Sequence, residues 1–358
     1  MNNNKRLLIA CVSAALAIGS ATTASAQDKI TLRFADWMLE SAFTTTYGAK
    51  AFMEKAQALS DSLISFQYFP AEQLGKGSEA LTLLQSGVAD IANVAPAYLS
   101  EHLPLSAVVE LPGMVTDSCT AADKFYNLVQ PGELLHEAEF KRKNVRPLFT
   151  ANLGPYRILT NGKNLSTPLN ISGLKLRTAG GAMAMTADRL GANPIRMQGS
   201  DVLPSLSRGT LDGVFWGLIS IEDWSLETAL DQMVPNLSIG SFNVTYSISD
   251  RTWEKLSPAN REILVKAGQY ANQNHCNHVN QAEKQAISDL EKKHGIAPLY
   301  LQEAELKKIH EGLIQVHKDW AEPLEKRGLP ANAIVEQMLC SLKTSHRNRP
   351  PLTPGVIV

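Results

Sequence analysis

The sequence predicts an α/β protein that folds into two similar lobes. Three observations support this prediction. A strand, a helix and a second strand follow one another near the start of the chain, and a short helix, glycine and strand pattern occurs twice, at residues 85–90 and 207–212. Residues 257–293 then form a long segment with no proline after Pro258, which is typical of one extended helix.

The first 26 residues have the composition of a secretory signal peptide. Two basic residues precede an apolar run over residues 7–19, and Ala24-Ser25-Ala26 forms a small-x-small cleavage pattern. The apolar run is shorter than the roughly 18 to 20 residues that a membrane-spanning helix needs. Lipoprotein processing at Cys11 would cut the run in half. We therefore expect residues 1–26 to be removed and the mature chain to begin near Gln27.

Size and charge narrow the function classes. The chain has 358 residues, 44% of them hydrophobic, and its net charge is −1. Once the signal peptide is removed, the chain is still too long for one core and suits two domains. A net charge near zero does not favour nucleic acid or an anionic membrane surface as a partner, and no direct membrane insertion is expected.

The first lobe is predicted from alternating and helical patterns. Apolar and polar residues alternate over residues 29–34, and apolar residues lie on one face of a helix over residues 46–60. A second strand over residues 63–68 ends before Pro70. A strand, helix and strand of these lengths predict a βαβ unit with parallel strand pairing.

The repeated pattern indicates that the second lobe is built like the first. A helix over residues 78–84 ends at Gly87, and a strand over residues 88–94 carries Asp90; a helix over residues 202–207 ends at Gly209, and a strand over residues 211–216 carries Asp212. Glycine is the usual left-handed residue after a helix end. Two lobes of the same design would explain both Gly-x-x-Asp sequences.

The C-terminal part of the chain is predicted to be helical. A continuous helix over residues 257–293 would be roughly 50 Å long and would cross both lobes. Residues 303–328 form another helical pattern, and residues 347–358 are rich in proline and expected to be loosely held.

Cysteine usage permits one disulfide bond. Cys11 leaves with the signal peptide, so that Cys119, Cys276 and Cys340 remain, and the sequence does not choose the pair. His275 and His278 flank Cys276, but asparagine and glutamine surround them on a predicted helix instead of further ligands. We predict no metal site and no cofactor.

Arg177 is the first candidate for a binding residue. The sequence contains no Gly-x-Ser-x-Gly, phosphate-loop, His-Glu-x-x-His or Cys-x-x-Cys motif, so catalysis has no support. Arg177 ends the predicted strand of residues 174–177, just before Gly180-Gly181. An arginine at a strand end can bind a carboxylate through two parallel hydrogen bonds, which lysine does not reproduce.

A set of short segments resembles the solute-binding proteins of tripartite ATP-independent periplasmic (TRAP) transporters over nearly the whole mature chain. The segments occur in order and at the intervals of that family. They are Leu32-Arg33-Phe34-Ala35, Phe69-Pro70-Ala71-Glu72-Gln73-Leu74-Gly75, Leu84-Gln85-Ser86-Gly87-Val88-Ala89-Asp90, Glu110-Leu111-Pro112-Gly113, Gly173-Leu174-Lys175-Leu176-Arg177, Leu190-Gly191-Ala192-Asn193-Pro194 and Gly209-Thr210-Leu211-Asp212-Gly213.

This resemblance implies a two-lobed periplasmic-binding-protein fold with β-strand hinges and a long helix spanning both lobes. Lobe I would comprise residues 27–153 and about 243–282, and lobe II residues 154–242 and about 283–346. The resemblance also implies a periplasmic protein that closes over a small organic acid and delivers it to TRAP membrane permease subunits.

The resemblance further assigns site residues. Arg177 would bind the ligand carboxylate, and a second family arginine would fall on Arg157, unless a one-residue shift places Tyr156 there. Many members carry asparagine where this chain has Trp216. An indole in place of an amide removes hydrogen bonds to hydroxyls and adds an apolar face. We therefore expect a monocarboxylate with an apolar or aromatic body, unless Trp216 packs in the core.

Residues near the first strand are candidates for the opposite wall of the site. They are Phe34, Trp37, Glu72 and Gln73.

Two rival functions are considered, and the first of them, a sensor, would have the same sequence features as a transport protein. A periplasmic sensor would pass ligand occupancy to a receptor, and a secreted hydrolase or isomerase would use Glu72, Asp90 or Asp212 as a base. The matching positions of the two aspartates favour a structural role for both.

Overall fold

The structure is a computed structural model that describes residues 29–115 and 117–340. The predicted signal peptide and the proline-rich tail lie outside these residues. The strands are Ile30–Ala35 (β1), Ile64–Phe69 (β2), Ile91–Val94 (β3), Val145–Thr160 (β4), Lys175–Thr178 (β5), Asn193–Arg196 (β6), Gly213–Gly217 (β7), Gln232–Val234 (β8), Ser241–Ser249 (β9) and Ala297–Pro298 (β10).

The helices alternate with these strands, as the sequence predicts. They are Ala51–Leu59 (α1), Ala80–Ser86 (α2), Ser118–Leu128 (α3), Gly181–Arg189 (α4), Val202–Ser207 (α5), Asp250–Lys255 (α6), Pro258–His294 (α7), Glu303–Lys326 (α8) and Ala331–Cys340 (α9). Helical turns of π type over Thr45–Lys50 lead directly into α1, so the predicted helix of residues 46–60 is confirmed.

The strands form two parallel groups joined by antiparallel strands. Their order is β2-β1-β3-β9-β4-β7-β5-β6, with β8 paired to both β4 and β10. β1 pairs in parallel with β2 and β3, and β5 pairs in parallel with β6 and β7. The predicted βαβ unit and the two-lobed α/β class are therefore confirmed.

The long strand β4 connects the two groups. Its first part, up to Pro155, pairs with β9, while Tyr156 to Thr160 pair with β7. The register changes between Asn152 and Pro155, at the point where β4 leaves one group for the other. A strand that passes through both groups is the β-strand hinge that the resemblance implies.

The predicted long helix is present as α7, which has 37 residues and is therefore roughly 55 Å long. Ser257 caps its N-terminus, and Gly295 ends it in the left-handed conformation with φ 71°. The helix packs on β4, and a Cβ atom at Gly268 would lie only 2.2 Å from the Leu148 carbonyl oxygen. Glycine at this position therefore permits the close approach of α7 to the hinge strand.

The two Gly-x-x-Asp sequences have the same structure. The Asp90 backbone N–H donates to the Arg33 carbonyl, and an Asp90 carboxylate oxygen accepts the Arg33 N–H, both at 2.9 Å. Asp212 makes the same two bonds with Lys175, at 2.9 and 2.8 Å. Each aspartate thus stabilises the pairing with the neighbouring parallel strand through two hydrogen bonds. The strands after them begin later than predicted, at Ile91 and Gly213, because the residues before them form these turns.

A disulfide bond joins Cys119 in α3 to Cys276 in α7, which decides the pairing that the sequence left open. The neighbouring histidines lie against aromatic rings: His275 stacks on Phe43 and His278 on Tyr47. Among the described residues, no helix is long and apolar enough to cross a bilayer, and no group of three or more metal-ligating side chains is found.

Candidate ligand-binding site

Arg177 lies in β5, where its side chain is almost completely buried, with 1% of its surface exposed. Its Nε donates to the Met197 carbonyl at 3.0 Å, its Nη1 to the Phe215 carbonyl at 3.5 Å and its Nη2 to the Tyr98 hydroxyl at 3.2 Å. All three acceptors are uncharged. Among the described residues, its direct hydrogen-bond partners are therefore neutral dipoles and not anions.

The surroundings of Arg177 suit an anion. Within the described part of the chain, no carboxylate lies at ion-pair distance from the guanidinium. Its central carbon lies 4.5 Å from the centre of the Trp216 ring, so the ring face supplies partial compensation. A buried charge without an ionic partner is costly, and a bound carboxylate would relieve that cost.

Glu110 is the buried acid whose charge acts on Arg177. Burial raises the pKa of Glu110 to about 8, although the backbone N–H of Met183 and the charges of Arg196 and Arg177 oppose this shift. The carboxylate accepts the Met183 N–H at 3.3 Å. Glu110 therefore binds the N-terminus of α4 and forms no ion pair with Arg177.

Aromatic rings surround the guanidinium. The Tyr156 ring is parallel to both the Trp216 ring, at 6.4 Å, and the Phe242 ring, at 6.0 Å. Further pairs extend the cluster towards β1. The aromatic cluster consists of Trp37, Tyr98, Tyr156, Trp216, Trp224 and Phe242.

The cluster also contains hydrogen-bond donors that have no acceptor. The indole N–H groups of Trp37 and Trp216 are buried, and no acceptor in the described residues lies within hydrogen-bond distance of either. A buried donor without a partner costs about 1 to 3 kcal/mol. The site is therefore rich in donors and aromatic faces, which suits an aromatic molecule that carries acceptor groups.

The structure places Tyr156, and not Arg157, beside Arg177. Consecutive residues of β4 point to opposite faces. Tyr156 stacks on Trp216, whereas the Arg157 Nε donates to the Pro235 carbonyl at 2.7 Å. Burial lowers the pKa of Arg157, and Glu283 on α7 opposes that shift. Tyr156 therefore lies on the side of β4 that holds Trp216 and Arg177, and Arg157 lies on the side that faces α7.

The candidates from the first lobe separate into two groups. Trp37 reaches the aromatic cluster, and a Cβ atom at Gly77 would lie 3.0 to 3.1 Å from the Tyr98 and Trp37 rings, so this loop presses against both. Phe34 instead packs in the core against Phe52, with ring centres 6.2 Å apart. Phe34 is fully buried there and does not reach Arg177.

Glu72 and Gln73 follow the end of β2 at Phe69. Glu72 accepts a hydrogen bond from the Ser200 hydroxyl at 3.4 Å, and burial raises its pKa. Gln73 is exposed to solvent. Among the described residues, no hydrogen bond or ring contact joins either of them to Arg177 or to the aromatic cluster.

An open cleft of about 770 Å³ leads to the Tyr98 side of the cluster. Both halves of the sheet contribute to its walls, and the Gln198 side chain bonds the Ser78 hydroxyl across it at 3.2 Å. Arg196 donates to the Tyr98 carbonyl at 3.0 Å. The lining residues are Ser78, Tyr98, Ala179, Arg196, Met197, Gln198, Asp201, Pro204 and Arg208.

Two of the three carboxylates in the rival enzyme hypothesis, Asp90 and Asp212, have structural partners. Although burial opposes it, hydrogen bonds from Arg33 hold the pKa of Asp90 below its ordinary value. Burial also raises the pKa of Asp212, but hydrogen bonds from the Lys175 N–H and the Lys163 ammonium hold it below its ordinary value. Both aspartates are therefore ionised and stabilise strand pairing. This is the structural role that their matching positions predict.

Four residues of the candidate site were not predicted: Tyr98, Trp224, Phe242 and Glu110. Tyr98 follows β3 by four residues and Trp224 follows β7 by seven, so both belong to the segments after the carboxyl ends of parallel strands, where ligands of α/β proteins commonly bind. This position is a usable sequence signal. Glu110 lies in one of the segments that carry the family resemblance, without any local indication of burial.

Comparison with known proteins identifies the family. The family described as bacterial extracellular solute-binding protein, family 7, matches residues 38–323. The chain belongs to this family. Its members are solute-binding proteins, and TRAP solute-binding proteins are prominent among the solved structures with this fold. The resemblance recognised in the sequence is thereby confirmed.

Relatives and a solved structure agree with this assignment. The sialic acid-binding periplasmic protein SiaP of Vibrio cholerae is 25% identical over 80% of this chain and 85% of that protein. A solute-binding protein of Roseobacter denitrificans is 26% identical over 61% of this chain, and the match spans 66% of that protein, slightly less than two thirds.

The solved structure is that of a marine metagenome TRAP solute-binding protein, a triple surface mutant in complex with metahydroxyphenylacetate. It superposes with a TM-score of 0.81 at 19% identity, covering 89% of this chain and 100% of the other. That protein is described as specific for aromatic acid ligands. At this identity the likeness shows a shared fold.

Proposed function

We propose that this protein captures an aromatic monocarboxylate in the periplasm and delivers it to the membrane permease of a TRAP transporter. The observation that carries the proposal is the environment of Arg177. A buried guanidinium has only uncharged oxygen acceptors, lies over the Trp216 ring and is surrounded by aromatic side chains. A carboxylate supplies the anion for Arg177, and an aromatic body matches the surrounding rings.

The aromatic preference has two further supports. Trp216 stands where many family members carry asparagine, and its ring faces Tyr156 and Trp224 within 6.4 Å. The marine relative of the same fold is described as specific for aromatic acids. The relative named for sialic acid shows that the family also contains proteins for sugar acids, so the side chains of the individual site decide the ligand.

Binding would work by closure of the two lobes on the ligand. Tyr98, Ser78 and Phe43 belong to the half of the sheet that contains β1, and each is hydrogen-bonded to the opposite half. A ligand that touches both halves stabilises the arrangement in which they meet, and so shifts the equilibrium between open and closed forms. The permease would recognise the closed form. The ligand is released unchanged, because no covalent step is involved.

The test is a binding measurement on the mature chain, residues 27–358. Isothermal titration with benzoate and 3-hydroxyphenylacetate is compared with succinate and galacturonate, for the wild type and for Arg177→Lys. The aromatic acids should bind, and Arg177→Lys should weaken that binding by roughly 10- to 100-fold, because lysine does not reproduce the fork of two hydrogen bonds. The control is Arg142→Lys, at an exposed arginine far from the cleft.

Three results would contradict the proposal. The first is preferential binding of succinate or galacturonate, which would remove the aromatic preference. The second is undiminished binding by Arg177→Lys, which would remove Arg177 from the site. The third is chemical change of the acid, observed by NMR of the recovered ligand, which would favour the enzyme hypothesis. Delivery is tested separately by uptake into cells with and without the permease genes.

A further inference from the structure

Tyr98 connects the two halves of the molecule at the end of the Arg177 side chain. It lies in the helical turn Pro96–Leu99, directly after β3, and is 8% exposed. Its hydroxyl oxygen accepts the Arg177 Nη2 at 3.2 Å and the Gly199 backbone N–H at 3.0 Å. Both donors belong to the opposite half of the sheet. One phenol oxygen therefore receives two hydrogen bonds from across the cleft.

Among the residues that the structure describes, the proton of this hydroxyl has no acceptor. A phenol oxygen that already accepts two N–H groups can interact further only by donating its own hydrogen. Among the described residues, no hydrogen-bond acceptor for the Tyr98 O–H is found. Burial raises the pKa of Tyr98, against the effect of the Arg177 charge, so that the group keeps its proton at neutral pH.

Neighbouring rings hold Tyr98 in place at the wall of the cleft. Its ring is fixed by Trp37, at 5.3 Å, and by Phe242, at 5.4 Å, and Gly77 presses against one ring edge. Tyr98 is also among the residues that line the open cleft. Tyr98 thus both lines the cleft and bonds the Arg177 guanidinium.

We infer that Tyr98 is a specificity-determining residue whose hydroxyl donates its hydrogen to the same ligand carboxylate that Arg177 binds. The inference rests on the proposed function and deepens it. The carboxylate would receive donors from both halves of the protein, from Arg177 on one side and from Tyr98 on the other. Ligand occupancy would then be coupled directly to contact between the halves, because the Tyr98 bond exists only when they meet.

This arrangement has kinetic and chemical consequences. A bond made only in the closed form slows dissociation more than it speeds association. A ligand group that accepts hydrogen bonds at both oxygens is required, so a carboxylate is favoured over a carboxamide, which has one acceptor oxygen. The Tyr98 O–H therefore selects for the carboxylate group, whereas the aromatic cluster selects for the body of the ligand.

The experiment uses the mature chain, benzoate labelled with ¹³C in its carboxyl group, and the variant Tyr98→Phe. The control is Tyr126→Phe, at a tyrosine of α3 whose side chain is remote from the cleft. Tyr98→Phe should weaken benzoate binding by roughly 10- to 100-fold, since a hydrogen bond to a charged group is lost. The change should be mainly in the dissociation rate, measured by stopped-flow displacement.

Infrared spectra provide a second measurement, which reports hydrogen bonding at the ligand carboxylate itself. The stretching band of the bound labelled carboxylate should differ between the wild type and Tyr98→Phe, and should be the same in the wild type and Tyr126→Phe. Equal affinity and an identical band in Tyr98→Phe would overturn the inference while leaving the proposed function intact. Failure of the wild type to bind any aromatic acid would overturn the proposed function itself, and the inference with it.

Discussion

The carboxylate of Asp223 accepts a hydrogen bond from the backbone N–H of Phe43 at 3.3 Å, across the cleft. Phe43 belongs to the first turn of the helical segment that continues into α1. The Glu110 carboxylate makes the reciprocal contact, accepting the Met183 N–H in the first turn of α4, also at 3.3 Å. Each half of the molecule thus sends one acid to a helix N-terminus of the other half: the partly buried Asp223 in one direction and the buried Glu110, whose pKa is raised to about 8, in the other.

This reciprocal pairing predicts that Asp223 stabilises the closed arrangement. Asp223→Ala removes the acceptor of the Phe43 N–H and the favourable interaction with the helix N-terminus. Because the loss affects only the closed form, benzoate affinity should fall by roughly two- to five-fold. Isothermal titration measures the affinity, and small-angle X-ray scattering of the ligand-free chain should show a larger radius of gyration.

The matched control for this prediction is Asp289→Ala, which removes an exposed aspartate that pairs with Lys293 within α7. It should leave affinity and radius unchanged, since an exposed pair of this kind contributes little. An Asp223→Ala protein with wild-type affinity and dimensions would show that this contact does not help to hold the halves together.

Glu110 predicts a decrease of stability with rising pH. Burial raises its pKa to about 8, well above the ordinary value for glutamate, so the folded state binds the proton more tightly than the unfolded state. The protonated form is favoured in the folded state at low pH. Ionisation between the ordinary pKa and about 8 then destabilises the folded state progressively as pH rises.

The variant Glu110→Gln isolates this effect, because it removes the titration and keeps an acceptor for the Met183 N–H. Between pH 5 and pH 9, the melting temperature of Glu110→Gln should fall less than that of the wild type. Other buried acids with raised pKa values, among them Asp36 and Glu139, contribute equally to both curves. Parallel curves for the two proteins would contradict the prediction.

The sequence predicts the frame of this molecule more completely than it predicts the contacts across the cleft. The Gly-x-x-Asp pattern and α7 are recognisable because their signals are local: a glycine after a helix, an aspartate at a strand, a long stretch without proline. The bond between Tyr98 and Arg177 joins residues 79 positions apart, and that between Phe43 and Asp223 joins residues 180 positions apart. No local pattern encodes such pairs, because they form only when the two halves meet.

The same reasoning explains where the candidate site residues lie. Phe34 and Trp37 are both aromatic residues near the end of one strand, yet Phe34 enters the core and Trp37 the aromatic cluster. Phe34 lies within β1, where the face of a residue is set by alternation, whereas Trp37 lies beyond the strand end. Tyr156 and Arg157 differ in the same manner, since neighbouring residues of β4 face opposite sides.

The disulfide bond between Cys119 and Cys276 predicts a large loss of stability on reduction. It connects positions 157 residues apart, and such a long loop restricts the unfolded chain strongly. The double variant Cys119→Ser with Cys276→Ser should lose about 2 to 5 kcal/mol of unfolding free energy. Chemical denaturation measures this loss. The free energy of unfolding of Cys340→Ser should equal that of the wild type. A loss of about 2 to 5 kcal/mol in Cys340→Ser, as large as in the double variant, would show that Cys340 takes part in the disulfide bond.

Trp216 predicts how ligand choice depends on one ring. Trp216→Phe keeps an aromatic face over the Arg177 guanidinium, which lies 4.5 Å from the ring centre, but removes the indole N–H that has no acceptor in the described residues. Trp216→Asn removes the face as well. If the ring packs against the ligand body, affinity for benzoate should fall by roughly 10-fold or more in Trp216→Asn and by less in Trp216→Phe.

The control for the Trp216 variants is Trp253→Phe, because Trp253 also lies against an arginine, Arg146 at 4.8 Å, but outside the cleft. Titration of each variant with benzoate and with galacturonate separates packing from hydrogen bonding. Trp216→Asn should lose benzoate affinity without losing galacturonate affinity, because an amide offers the hydrogen bonds that hydroxyl groups use. Equal losses for both acids would indicate that Trp216 supports the site as part of the core and does not contact the ligand body.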